Sequence, residues 1–269
     1  MKLAAGLLLA LLSTAALSSG FYVQHSASGQ LPALSLRHPL ASLSALFTDR
    51  RWLAGFVTGL SGWALYIIAL DLAPISLVQA TSAGGVGLIA LLVRAGGVRL
   101  SGREWIAVAV SVCGLLLLGL SLPGGAAHAV TRSWRQPLSW ILASALAAAI
   151  AAFPAARVLR AGAGLAMAAG VMYSAGDVAT KAAVSGVGPV YVFVLLLAAC
   201  HGLGFVCIQL SFQRGTALAT VGVSTLLTNL LPIVAGVMIF GEYLPGGVPG
   251  VLRGLGFAGA VIGAALLGR

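Results

Sequence analysis

Nine apolar runs recur along the chain, at about residues 3–22, 52–72, 75–96, 104–122, 137–155, 163–184, 188–212, 217–240 and 247–267. Each is long enough to cross the hydrocarbon core of a bilayer, which takes about 20 residues. Peptide groups find no water there, so every run is predicted to be an α-helix, which pairs its own backbone. The predicted fold class is therefore an all-α integral membrane protein with nine transmembrane helices. Composition points the same way. Charged residues make up 7% of the chain, against about 25% in soluble domains, which excludes an ordinary cytosolic enzyme. Mean hydropathy of +1.07 excludes a disordered chain, which needs low hydrophobicity and high charge.

The net charge of +10 comes from 13 Arg and 2 Lys scattered in twos and threes between the runs. Cytoplasmic loops of membrane proteins have this composition because Lys and Arg resist translocation. Membrane lipid is thus the expected partner, and nucleic acid is not. Cys113, Cys200 and Cys207 all fall inside apolar runs, where cysteine is a small packing residue. The first run, behind Met1 and Lys2, is expected to be an uncleaved first helix, with a cleavable leader as the alternative.

Ten Lys/Arg residues fall on one side of the predicted bundle and five on the other. The excess places the N-terminus outside and the C-terminus inside, in the plasma or inner membrane. Of the longer connections, 23–51 is broken by Pro32 and Pro39 and is predicted to hold a short surface helix from Leu40 to Trp52. The second, 123–136, lies near the middle of the chain.

An internal repeat is visible. Gly62-Trp63-Ala64-Leu65-Tyr66 matches Gly204-Phe205-Val206-Cys207-Ile208, and the Gly114–Gly119 stretch matches Gly263–Gly268. Two four-helix units follow, residues 1–122 and 163–269, joined by a loop and a linker helix in 123–162. Five crossings separate them, so the second unit is inverted, an architecture associated with alternating access.

Helix eight carries Pro232 in its middle, then small residues, then Gly241-Glu242. Ala69 to Gln79 combine an Ala near one helix end with an Ala-Pro-Ile-Ser-x-Val entry to the next. These features resemble the drug/metabolite transporter superfamily, EamA-like group. The nine-span layout is most similar to the branch of NIPA-type magnesium transporters. The resemblance implies a small-solute carrier. The NIPA-type pattern has a Glu on its second helix where this chain reads Ser61-Gly62-Trp63.

Five acidic residues are present, and Asp177 is the one well inside a run. A buried charge is costly in lipid and is expected to face the bundle interior. Lys181, one turn on, shares its face, as do Tyr173 and Ser174. His201 and Gln209 on the seventh run, and Asn229 one turn before Pro232, complete the candidate substrate-binding set. Trp63, Tyr66, Gln79 and Arg94 read as packing or interface residues. No phosphate loop, His-Glu-x-x-His or Gly-x-Ser-x-Gly motif is present, so no catalytic residue, metal or cofactor is expected. The expected function is transport of a small polar or amphipathic metabolite by alternating access. A divalent-cation carrier is the alternative within transport, and a scaffold or lipid-handling protein the alternative outside it.

Overall fold

The computed structural model describes residues 2–32, 34, 39–73, 75, 78, 82, 84–121, 133–153, 162–241 and 246–268. Among these the regular structure is entirely helical. In chain order the helices are α1 (Lys2–Ser28), α2 (Pro39–Thr48), α3 (Arg50–Leu72), α4 (Gly84–Ala95) and α5 (Gly102–Leu120). They continue as α6 (Arg135–Ala152), α7 (Ala163–Val184), α8 (Val190–Phe212), α9 (Ala217–Met238) and α10 (Gly247–Gly268). Gln79, Glu242 and most of the 123–136 connection lie outside the described residues.

Local chemistry sets several boundaries. The carboxylate of Asp49 accepts from the backbone N–H of Trp52 at 2.7 Å, satisfying a donor that the first turn of α3 leaves unpaired. The surface helix expected from Leu40 to Trp52 therefore ends at Thr48, and Trp52 belongs to α3. Ser101 and Glu104 form a reciprocal cap at the start of α5. The Glu104 carboxylate accepts from the Ser101 N–H at 2.7 Å, and the Ser101 hydroxyl accepts from the Glu104 N–H at 3.3 Å. Thr216 caps α9.

Among the described residues four helices, α1, α3, α8 and α9, are long and apolar enough to cross a membrane. The outside of the bundle is apolar too. Leu142, Leu146 and Ile150 form an exposed stripe along α6, and Leu8, Leu11 and Leu12 are exposed on α1. Contiguous apolar surface of this kind suits lipid and not water. The interior holds small and polar residues, with Ser174, Asp177, Thr180, Gln209, Thr220, Ser224 and Asn229 all buried. The chain is a membrane protein.

The helices pack as two hairpins and a crossing pair. α1 lies antiparallel on α3, Gly6 against Leu72 and Gly20 against Gly55 and Gly59. A Cβ on Gly20 would stand 2.6 Å from the carbonyl oxygen of Gly55, so only glycine permits this approach. α7 lies antiparallel on α8, Gly162 against Ser211 and Gly176 against His201. α5 lies antiparallel on α10, Gly114 against Gly259 and Ser111 against Gly263. α9 packs on α7, α10 and α4, and α6 packs on α7.

Candidate functional site

Between α1, α3, α7, α8 and α9 lies a cavity of about 420 Å³, within the range of sites for small organic molecules. Its walls are largely aromatic: Phe21 from α1, Phe56, Trp63 and Tyr66 from α3, Tyr173 from α7, and Phe205 from α8, with Phe47 of α2 at one end. Hydroxyl and amide groups of Ser18, Gln24, Ser224, Thr225, Thr228 and Asn229 punctuate the rings. Asp177 is the acidic residue among the lining side chains, and no Lys or Arg of the described residues lines it.

Asp177 meets His201. Nε2 of His201 stands 3.6 Å from Oδ1 of Asp177, and the carboxylate side chain is only 5% exposed. Nδ1 of the same ring lies 2.9 Å from the carbonyl oxygen of Leu197, one turn back on α8. A carbonyl oxygen only accepts, so Nδ1 carries a proton and donates it. The ring is held between Trp63 and Tyr173, with centroids 5.3 and 5.8 Å away. Gly176 makes room for it, because a Cβ at that position would fall on the imidazole.

Asn229 lines the cavity and donates through Nδ2 to the carbonyl oxygen of Thr225 at 2.7 Å. Pro232, inside α9, has no N–H to offer the carbonyl of Thr228, so that turn of the helix lacks one backbone bond. The Thr228 hydroxyl donates to the carbonyl oxygen of Gly170 at 3.4 Å, tying α9 to α7 beside the cavity.

Of the residues singled out from sequence, Asp177, Tyr173, His201 and Asn229 come together at the cavity. Ser174, Lys181 and Gln209 are placed elsewhere. Ser174 is buried against neighbouring helices, its hydroxyl without a hydrogen-bond partner among the described residues. The ammonium of Lys181 reaches the end of α3 and donates to the carbonyl oxygens of Leu70 at 2.9 Å and Ala73 at 3.2 Å. A cation there also complements the negative end of the helix. Gln209 has both halves of its amide engaged. It accepts from Trp52 Nε1 at 3.0 Å and donates to Gln24 Oε1 at 2.6 Å, joining α8 to α3 and α1.

Sequence reasoning passed over the aromatic walls and the α9 hydroxyls. Trp63 and Tyr66, expected to be packing residues, line the cavity, whereas Arg94 is exposed at the last turn of α4. One signal was available. Thr14, Ser18 and Phe21 recur at helical spacing along α1, as do Ser224, Thr225, Thr228 and Asn229 along α9, and each set marks one face.

No group of three or more His, Cys, Asp or Glu side chains that could hold a metal ion occurs among the described residues. No protein-family model, curated protein or solved structure matches the chain.

Proposed function

We propose that the protein is a nine-span membrane transporter that moves a small polar or amphipathic organic solute through this cavity by alternating access. On this reading α5, α6, α7 and α10, at 19, 18, 22 and 22 residues, also cross the bilayer, as does the apolar run that contains α4. The two four-helix units are related by inversion, the N-terminus lies outside, and the chain is an EamA-like member of the drug/metabolite transporter superfamily in the plasma or inner membrane.

The observation that carries this reading is that matching positions of the two units line one cavity. In the repeat register of Gly62 on Gly204, Gly59, Leu60 and Trp63 correspond to His201, Gly202 and Phe205, and all six line it. Gly20 meets Gly59 as Gly176 meets His201. That correspondence sets Leu17 opposite Tyr173 and Phe21 opposite Asp177, again all lining residues. The fourth helices of the units, α5 and α10, run antiparallel, as inversion requires.

Polar links join the units toward both ends of the bundle. At one end are the Trp52–Gln209–Gln24 bridge and Gln213, whose side chain accepts from the Leu34 N–H at 2.8 Å and donates to the Pro32 carbonyl at 3.0 Å. At the other, Lys181 of α7 holds the end of α3. Alternating access needs one set of links to open while the other stays closed.

The test is uptake. Metabolites that raise the unfolding temperature of the purified protein are labelled and offered to proteoliposomes. The reading expects counterflow of at least one of them, and a ligand that binds but never crosses contradicts it. Orientation is checked separately by His128→Cys, which should react with an impermeant reagent from outside only.

A further inference from the structure

We propose that the cavity opens sideways into the bilayer between α3 and α8, and that it takes a single-tailed amphiphile whose hydrocarbon tail lies in that opening. The proposal rests on the transport-site reading above and adds to it the class of solute and the route of entry.

Packing leaves one side of the cavity without a seal. α3 lies on α1, α1 meets α9, α9 lies on α7, and α7 lies on α8. α9 thus stands across the cavity from the α3–α8 side. Along that side Phe56 stands 5.8 Å from Phe205, and further on Trp63 stands 5.3 Å from His201, centroid to centroid. Between these ring contacts lie Gly59 and Leu60 of α3 and Gly202 of α8, all in the cavity wall. The glycines that bring α1 onto α3 and α7 onto α8 have no spare room. A Cβ on Gly20 would stand 2.6 Å from the Gly55 carbonyl oxygen, and one on Gly204 2.9 Å from the Tyr173 ring. By contrast, a Cβ on Gly202 would meet nothing within 4 Å, and one on Gly59 only Gln24 Nε2 at 3.7 Å. These two glycines leave a gap.

The depth of the gap says what fills it. Leu60 is 51% exposed and Gly202 is exposed. Both lie near the middle of 23-residue helices, each long and apolar enough to cross a membrane. Mid-helix falls near the bilayer centre, where the surroundings are acyl chains and not water. The rim is apolar as well, with Val57, Leu203 and Val206 exposed beside it. A hydrocarbon tail reaches that rim without desolvation, whereas a wholly polar solute would first give up its water.

The opposite wall supplies the place for the head. α1 and α9 bring Thr14, Ser18, Ser224, Thr225, Thr228 and Asn229 to the cavity. Their hydroxyl and amide groups both donate and accept, which suits an uncharged hydroxylated head. No Lys or Arg of the described residues lines the space, so a phosphate head finds no cation there. A volume of about 420 Å³ suits one tail with a small head.

The experiment places the full chain in phosphatidylcholine nanodiscs with two monoacylglycerols. One carries a photoactivatable diazirine beside the head, the other near the end of the tail. Labelled residues are mapped by mass spectrometry after illumination. The proposal expects the head-side probe to label the Ser224–Asn229 stretch and the tail-end probe to label Leu60 and Leu203. Gly202→Phe fills the gap from the α8 side, where the added ring has free space. Labelling of Ser224–Asn229 should then fall by about tenfold, the scale of overpacking one site. Labelling of Leu146, exposed on α6, should stay unchanged.

Labelling confined to outward residues of the wild-type chain, such as Leu203 and Leu146, would overturn the proposal, whether the gap is shut or a second copy covers it. So would undiminished labelling of Ser224–Asn229 in folded Gly202→Phe. If Gly202→Phe does not fold, the positions labelled by the two probes on the wild-type chain decide alone. An amphiphile seated in the cavity yet never moved across a proteoliposome membrane overturns the transport reading and leaves this one standing. Uptake of a polar solute by Gly202→Phe at the wild-type rate does the reverse.

Discussion

Gly176 of α7 and His201 of α8 share one volume: the hydrogen at the glycine Cα leaves the space that the imidazole fills. The ring stands 3.6 Å from the carboxylate of Asp177, the residue next to that glycine. Gly176→Ala should therefore drive His201 off Asp177. Overpacking of this kind costs about 1–3 kcal/mol, read as a lower unfolding temperature in detergent. Transport should fall with it. The double change Gly176→Ala with His201→Ala relieves the overlap, so it should recover stability without recovering transport. Wild-type stability in Gly176→Ala alone would show that the ring does not sit there.

Lys181 joins α7 to the end of α3. Replacing it by Met keeps the hydrocarbon stem and removes both hydrogen bonds to Leu70 and Ala73. Bonds to charged groups contribute about 1.5–3 kcal/mol each, so a stability loss toward the lower figure is expected for this half-buried pair of bonds. The separating readout is the ligand. Solute affinity should change little in Lys181→Met, because the ammonium does not face the cavity, while the rate of transport changes.

Gln209→Leu leaves the Trp52 indole N–H and the Gln24 amide oxygen buried without their partner. Each such group costs about 1–3 kcal/mol, so the single variant should unfold well below the wild-type chain. Replacing Trp52 by Phe and Gln24 by Leu in the same chain removes the orphaned groups. The triple variant should then be more stable than the single one, as unfolding in mixed micelles can show. A triple variant less stable than Gln209→Leu would mean that the bridge does not explain the burial of that glutamine.

The pattern of apolar runs made the helices legible, since hydropathy over about 20 residues reports directly on solvation by lipid. Helix α7 is an example: the sixth apolar run, predicted over residues 163–184, is a helix over Ala163–Val184. The site was legible only where it holds charge. Asp177 and His201 are conspicuous because a titratable group in lipid demands a reason. Gly59 lines the cavity too, but it contributes by having no side chain, which no reading of polar residues detects. Gln209 misled for a different reason. A buried amide has the same cost of desolvation whether a solute or the protein satisfies it, and its partners Trp52 and Gln24 lie 157 and 185 positions away. Lys181 shares a helix face with Asp177, but a long flexible stem lets its ammonium end beside a different helix.

The outward stripe of α6 tests whether the linker helix spans the bilayer. Leu146 is 65% exposed at mid-helix. Leu146→Arg puts a charge where insertion scales assign about 2.5–3.5 kcal/mol, so insertion of α6 in a glycosylation-mapping assay should drop. Ser144→Arg, on the buried side of the same helix, supplies the comparison for damage by misfolding alone. Full insertion of Leu146→Arg would mean that α6 does not meet lipid there.

Alternating access around the cavity is tested most directly by a single reporter inside it. Thr228 lines the cavity and is partly exposed. Thr228→Cys would be made in a chain whose Cys113, Cys200 and Cys207 are replaced by Ser, then assayed in right-side-out and inverted vesicles with a membrane-impermeant maleimide. The account predicts that the same cysteine reacts from both faces, and that a solute which stabilises the protein slows both reactions. Reaction from one face only, in protein that labels fully once solubilised, would contradict it.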